Sequence, residues 1–544
     1  MLTCIHGGHV IDPATGRDGV GDVWFENGRI VEKPEGRAPD ASHDASGHVV
    51  MAGAIDIHSH IAGGNVNTAR LLLPEMHRAI RARLAGTPLS TAKWSTYETG
   101  RLYAQMGFTT VVEPAMAPHS AIQTQLELAD TPLLDTGALT VLGNDDFLLN
   151  QLRTGESETA ISDYVARTVD ATKSLGLKCI NPGGVEGFKE NMRVFGLDDV
   201  VPFYGVTSRQ IIQALQKATQ AVGIHHPLHL HMNNLGIAGN IETALATIDA
   251  VQGLPLHLAH VQFYAYGKEG KNAFSSAAAA FAEKVNANKN VSVDVGAVMF
   301  SDTVTVSSDV LKQFNSMPGA VPKKGAIFDG DANGGGIVPY AYKISNYYNA
   351  VQWAAGLELF LLIDDPHQVF FTTDHPNGGP FTTYPELFAL LMSADLRAQW
   401  LSRLPAEVLE VTKLAEIKRE YTLYEIAQMS RSGAAKLFGF TDRGKLAPGA
   451  VADIAVYKDQ RDKAGMFRNA ALVFKDGELI VEAGEVKRYK RGRTLHTSPK
   501  FDGAIERRLD RYYDDLYGLP RTIFDVPQAA LPNADAFAEV ACRS

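Results

Sequence analysis

The first fifty residues do not repeat at helical spacing. Short apolar runs alternate with turn residues: Val10-Ile11 leads into Asp12-Pro13 and Gly16, and Val23-Trp24-Phe25 leads into Glu26-Asn27-Gly28-Arg29-Ile30-Val31. An Asn-Gly pair between two apolar runs predicts a hairpin with a tight two-residue turn. The pattern returns far down the chain. Residues 452–457 read as a strand, and residues 471–481 as a hairpin around Asp476-Gly477. Chain ends often meet, so residues 1–52 and 431–489 are predicted to form one small composite β domain. Residues 490–544, rich in arginine and then in proline, read as an irregular extension suited to lying on a partner.

Residues 53–430 have a different rhythm. Short β-branched runs ending near His58, Glu113, Asn144, Asn181, His231, His260, Gly296 and Asp374 alternate with helical stretches such as 211–222 and 241–251. Strand–helix alternation of this kind predicts an α/β fold, here a TIM-like (β/α)8 barrel. A doubly wound open sheet is the structural alternative. The seventh and eighth strand ends lie 78 residues apart, which predicts an insertion from Gly296 to Val369. Residues 274–284, with four consecutive alanines, predict a plain helix. The polar glycine loop from Asp329 to Gly336 lacks the Lys-Ser/Thr of a phosphate loop and is given no nucleotide role.

Composition narrows the choice of partner. The chain has 544 residues, 45% of them apolar and 21% charged, a globular balance with room for a large core and a smaller domain. Lys and Arg number 51 against 61 Asp and Glu, so a net charge of -10 argues against nucleic acid or an anionic membrane as a general partner. Cys4, Cys179 and Cys542 are too few for a disulfide framework, an iron–sulfur module or a four-cysteine zinc site. The sequence shows neither an apolar run long enough to span a membrane nor the features of a signal peptide, so the cytoplasm is the expected compartment.

The strand ends carry the chemistry. In Ala54-Ile55-Asp56-Ile57-His58-Ser59-His60, two histidines two apart point to one side of a strand and can offer two imidazoles to one metal. Lys178 sits inside an apolar run, where an unpartnered amine is costly. Carbon dioxide would convert it to a carbamate able to bridge two metals, unless it simply points to solvent. His229 and His231 share a face. His231, nearer the strand end, is the better ligand candidate, and His229 is a supporting or core group. His260 closes the sixth strand, with His257 on its other face. Asp374 closes the eighth, as ligand and proton carrier or only as a turn former. The series His-x-His, Lys, His, His, Asp falls at one end of the barrel, where barrel enzymes work. Nitrogen and oxygen donors suit zinc and other divalent first-row ions.

This series resembles the metal-dependent amidohydrolase superfamily. The likeness spans most of the chain, and Gly444-Lys445-Leu446-Ala447-Pro448-Gly449 resembles that superfamily's return into its small domain. Within it, Asn181-Pro182-Gly183-Gly184, His231-Met232-Asn233-Asn234, Gln262-Phe263-Tyr264-Ala265-Tyr266-Gly267, Thr373-Asp374-His375-Pro376-Asn377-Gly378-Gly379-Pro380 and Glu113-Pro114-Ala115-Met116 are similar to the A subunits of formylmethanofuran dehydrogenases. The resemblance implies two Zn2+ ions, one on His58 and His60 and one on His231 and His260, bridged by carboxylated Lys178. Asp374 would ligate and shuttle the proton. His119, His229, Asn233, Tyr264 and His375 would stand around them.

The activity so implied is condensation or hydrolysis of the amide between formate and a methanofuran-type coenzyme, within a multisubunit complex. Methanogens couple it to a formate dehydrogenase, and aerobic methylotrophs to a formyltransferase subunit. With no cysteine cluster for the redox half, and an alanine-rich composition, the expectation is the hydrolase subunit of a formyltransferase/hydrolase complex in one-carbon oxidation. Three readings stay open: the condensing A subunit, another amidohydrolase (hydantoinase, dihydroorotase or aminoacylase), and a scaffold with a dead site. The 296–369 insertion and the arginine-rich tail are expected docking surfaces in each.

Overall fold

The computed structural model describes residues 1–70, 96–190, 192, 194–305, 328–329 and 336–543. Both hairpins form as the sequence predicts. Asn27 and Gly28 have φ of 50° and 77°, and Asp476 and Gly477 have 48° and 74°. Two successive left-handed residues suit the right-handed twist of the flanking strands. Strands Leu2–Asp12, Arg17–Glu26, Arg29–Val31, Ala41–Asp44 and His48–Ala52 share one nine-stranded sheet with Ile454–Lys458, Leu472–Lys475, Glu478–Glu482 and Glu485–Val486. The two halves join where His48–Ala52 pairs antiparallel with Ile454–Lys458. Val10, Phe25, Val50, Ile454 and Phe474 pack beneath that seam.

The middle of the chain is a barrel of parallel strands: Ala54–Asp56, Phe108–Met116, Asp135–Val141, Gly176–Ile180, Leu228–His231, Leu256–Leu258, Val291–Asp294 and Val369–Phe370. It closes between the eighth strand and the first: Ser59 and His375 form a parallel bridge, and the His60 N–H donates to the His375 carbonyl at 2.9 Å. Most strands stop one to four residues before the strand ends read from the sequence. His58, His60, His260 and Asp374 therefore stand on the short segments just beyond the ladder, while Lys178 and His231 lie within it. Helices Ser208–Ala221 and Ile241–Ala250 lie where the pattern places them, the first opened by a Thr207/Gln210 capping box.

Three expectations need correction. The 296–369 stretch is not all insertion. Helix Tyr347–Leu362 is buried and packs on helix Ala278–Ala287, completing the seventh strand–helix unit. Among the described residues, the added part includes a small antiparallel sheet in which Asp302–Thr305 and Phe328–Asp329 both pair with Gly336–Ala341. Most of the 329–336 glycine loop lies outside the described residues. Second, residues 274–284 are not one helix. Ser275–Ser276 pairs with Tyr266–Gly267, and the helix starts only at Ala278. The Phe274 ring decides this by packing 4.5 Å from that of Tyr266.

Third, the tail is not irregular. Strand Thr494–His496 pairs in parallel with the start of Asp135–Val141 and itself receives Phe537–Glu539. Asp135–Val141 meets Gly176–Ile180 only from Leu139 onward, which leaves its first half with an edge to cover. Gly137 permits the close packing here, since a Cβ there would stand 2.4 Å from the Leu175 side chain and 3.2 Å from the Leu495 carbonyl of the tail strand. Helix Ala504–Tyr517 then packs on helix Glu158–Thr172.

A buried charge cluster pins the barrel, the small sheet and the tail together. Lys475 Nζ lies 3.0 Å from Asp135 and 2.9 Å from Asp453, Arg443 pairs with Asp135, and the Arg493 N–H donates to Asp135 at 2.7 Å. Among the described residues, no helix is long and apolar enough to cross a membrane.

Candidate metal centre

The polar residues of the strand ends converge. His60, Lys178, His231, His260 and Asp374 line a cavity of about 950 Å³ at the C-terminal mouth of the barrel, and His58 is buried directly below. His58 Nε2 faces Asp374 Oδ1 at 2.9 Å, and His60 Nε2 faces the same oxygen at 3.2 Å. His58, His60 and Asp374 can thus offer one ligand atom each to a single ion. The rings of His231 and His260 meet edge to face, with centroids 4.5 Å apart. Tyr264 stacks on His260 and donates its hydroxyl to the Met232 carbonyl at 2.7 Å.

The local backbone is unusual where these residues leave the strands. His260 and Asp374 are left-handed, with φ of 35° and 51°. Such non-glycine residues cost about 1–3 kcal/mol each and persist where the surroundings over-determine them. Here the Asp294 carboxylate accepts the His260 N–H at 2.5 Å, and Thr372 Oγ1 accepts the Asp374 N–H at 2.7 Å.

Charge follows the same design. Burial raises the Asp374 carboxyl, but the imidazoles of His260, His58 and His60 override it and hold the group well below the usual carboxylate range. Burial lowers His60, yet the Glu113 and Asp374 carboxylates push it up to about 9. Burial brings Lys178 down to about 8, against the pull of Asp294, Asp374 and Glu113. His58 Nε2, Lys178 Nζ, His260 Nδ1 and Asp374 Oδ1 are buried and make no hydrogen bond. Buried polar atoms left this way are costly. Imidazole and carboxylate donors aimed at one space fit a divalent first-row cation.

The remaining predicted residues divide by position. His119 is exposed, on the turn Pro118–Ser120 at the cavity rim. His229 faces down, with Nε2 3.0 Å from His58 Nδ1. Asn233 donates to the Pro182 carbonyl and to Ser208 Oγ, both at 3.1 Å, and so ties loops together behind the site. The His375 ring lies edge-on to Phe381, while its carbonyl holds the His60 N–H. Lys178 is buried at the cavity, so its solvent-facing alternative falls away.

Sequence reasoning missed several participants. Glu113 accepts from His60 Nδ1 at 3.0 Å and from the Ile61 and Ala62 N–H groups at 2.7 and 3.0 Å. Asp294 Oδ2 lies 3.0 Å from both His58 Nδ1 and His257 Nε2. His226 Nε2 lies 2.9 Å from His229 Nδ1. His257 therefore faces the barrel interior, not the opposite side. The left-handed turn at His260 breaks the two-residue parity between the pair. Asp294 closes the run Val291-Ser292-Val293-Asp294, the same signal that marked Asp374.

Residues 42–481 match the model of an amidohydrolase family. The chain belongs to that family. It is a hydrolytic enzyme, similar over its full length to the A component of the formyltransferase/hydrolase complex Fhc of Methylorubrum extorquens: 49% identical over 550 residues, covering 100% of both chains. The crystal structure of that organism's FhcABCD complex with methylofuran contains a chain that superposes with a TM-score of 0.94, at 48% identity and full coverage of both. The FwdA protein of Methanocaldococcus jannaschii is 39% identical over 522 residues, 91% of each chain. The cavity is also lined by the apolar side chains of Ile122, Leu126, Leu142, Val185 and Phe263. The added segment takes part in it: Thr305 and Tyr342 line the cavity, and the Tyr342 hydroxyl donates to the Asn377 carbonyl at 2.9 Å.

Proposed function

We propose that this enzyme hydrolyses the N-formyl amide of a formylated methylofuran-type coenzyme to formate and the free amine, as the hydrolase component of a formyltransferase/hydrolase complex. The observation that carries the reading is the full-length match, in sequence and in shape, to a chain of a complex solved with methylofuran. The partners on this reading are the other subunits of such a complex, the formyltransferase among them.

His58, His60 and Asp374 would hold one zinc ion, and His231 and His260 a second. Lys178, as its carbamate, would supply an anionic ligand to both. When bound, such ions supply a water acidic enough to attack at neutral pH and polarise the formyl oxygen. Asp374 enters as the carboxylate, the form its imidazole neighbours favour. Its Oδ2 accepts from Asn377 Nδ2 at 3.0 Å, and its Oδ1, facing His58 and His60, borders the space that the reacting water would occupy. Oδ1 takes the water proton and returns it to the amide nitrogen as the C–N bond breaks. The water oxygen leaves in formate, and the proton leaves on the amine. The apolar wall of Ile122, Leu126, Leu142 and Phe263 receives the coenzyme's ring and keeps bulk water from it.

The test is metal content of the purified complex together with formate release from the formylated coenzyme. Two zinc ions per chain and release of formate support the reading. A metal-free complex that releases none would reduce the chain to a scaffold, and hydrolysis of hydantoins or dihydroorotate instead would reassign the substrate.

A further inference from the structure

We propose that Asp294 is a positioning residue for both halves of the centre. It fixes His58 in the tautomer whose Nε2 is free for a cation, and it anchors the main chain of His260. The inference rests on the metal-binding reading above.

Asp294 is fully buried at the end of the seventh barrel strand, below the cavity floor. Its Oδ2 lies 3.0 Å from His58 Nδ1, 3.0 Å from His257 Nε2 and 3.4 Å from His229 Nε2. Its Oδ1 accepts the His260 N–H. One carboxylate thus touches three imidazoles and one amide, drawn from the first, fifth and sixth strands.

Proton positions follow from what each group can do. A carboxylate only accepts, and a neutral imidazole carries one donor and one acceptor. His58 Nδ1 is hydrogen-bonded to Asp294, whereas Nε2 and Asp374 Oδ1, 2.9 Å apart, make no hydrogen bond, so Nδ1 bears the hydrogen and Nε2 the lone pair. Two lone pairs facing each other are a natural seat for a cation. His257 donates from Nε2 to Asp294, so its Nδ1 accepts the Ser292 hydroxyl at 2.9 Å. His229 Nε2 lies 3.0 Å from His58 Nδ1 and 3.4 Å from Asp294 Oδ2, so it accepts a share of the His58 hydrogen, and its Nδ1 donates to His226 Nε2 at 2.9 Å. The His58 and His257 hydrogens both point to one anion. His58, His229 and Asp294 also lie close enough together to form a second three-donor group. With its hydrogen on Nδ1, however, His58 has no lone pair to give there, and this deeper group is a hydrogen-bond hub.

Asp294→Asn tests the role in the assembled complex. An amide can donate as well as accept, so it no longer dictates the His58 tautomer. Partners that orient metal-bound histidines typically change metal affinity by about 10–100-fold when removed. The variant complex should keep its assembly and circular dichroism but lose zinc to a chelator about 10–100-fold more readily. After cobalt substitution its visible spectrum should differ from that of the parent. Parental zinc retention together with a parental cobalt spectrum would overturn the proposal.

Should the variant fail to assemble, the parent protein decides. Neutron diffraction should place a hydrogen on His58 Nδ1, between it and Asp294. A hydrogen on Nε2, or a metal ion seated at Nδ1, would overturn the proposal. A parent complex without metal would overturn the proposed function itself, whereas a metal-loaded parent with an unaffected variant overturns only the role of Asp294.

Discussion

Removing bound metal and carbon dioxide from the assembled protein, and then returning both, tests Lys178 directly. A carbamate forms when the free amine attacks carbon dioxide, making an N–C bond and releasing one proton, and the ammonium form does not react. Burial holds Lys178 down to about 8. At pH 7 that leaves about 10% free amine, against roughly 0.03% for an ordinary lysine, a gain of about 300-fold. At fixed dissolved carbon dioxide, the initial rate of carbamate formation should climb about tenfold per pH unit below 8 and flatten above it. Carbon-13 carbamate signal from labelled bicarbonate, followed alongside recovered formate release, reads both the modification and its effect. The sign is fixed, because raising the pH removes the proton that blocks reaction. A rate still rising tenfold per unit through about pH 10 would mean an ordinary lysine and refute the reasoning. An undiminished signal in Lys178→Ala would show that another group takes up the carbon dioxide.

Other outcomes are as definite. Asp374→Asn keeps the shape of the side chain but cannot carry the proton, so formate release should fall about 10²–10⁴-fold with metal still bound, and full turnover of a metal-loaded variant would sink the role. Asp135→Asn leaves buried Lys475 and Arg443 with one anion fewer and should cost about 3–5 kcal/mol, measured as a lower denaturant midpoint, whereas an unchanged midpoint would contradict it. Burial opposes the ionised Asp135, but Lys475 and Arg443 hold it far below the usual carboxylate range. Its contribution is therefore complete above the unfolded carboxylate value of about 3.9 and is lost as pH falls through the lower folded value, so the variant and its parent should converge in stability only in strong acid. Leu495→Ala empties a buried position where the tail strand meets the barrel and should cost about 2–5 kcal/mol, and a loss under about 0.5 kcal/mol would show that the tail strand does not hold the barrel wall.

The barrel and its ring of polar residues were legible because both rest on local rules. Parity along a strand places His58 with His60, and apolar runs ending in a polar residue mark where each strand stops. What escaped was whatever parity cannot carry past a strand's end. The left-handed residue at His260 brings its own side chain to the side that His257 already faces, against strict alternation. Asp294 carried the right signal, but the seventh strand was read as running on to Gly296, which hid it. The tail strand has only the three residues Thr494-Leu495-His496, too short to stand out between arginines and prolines. Its partner edge exists only because two barrel strands overlap incompletely, a fact of three-dimensional register.

The seam of the small sheet has a consequence for synthesis. His48–Ala52 pairs with Ile454–Lys458, so about 400 residues separate one side of that ladder from the other. At about 5–20 residues per second, a ribosome leaves the amino-terminal strands waiting roughly 20–80 s for their partner. During that interval Val49, Val50 and Met51 present an unpaired apolar edge, the kind of surface that invites aggregation. The nascent chain thus has reason to draw on a holding chaperone, and yield in a foreign host should respond more to slowed growth than to mutations in the barrel.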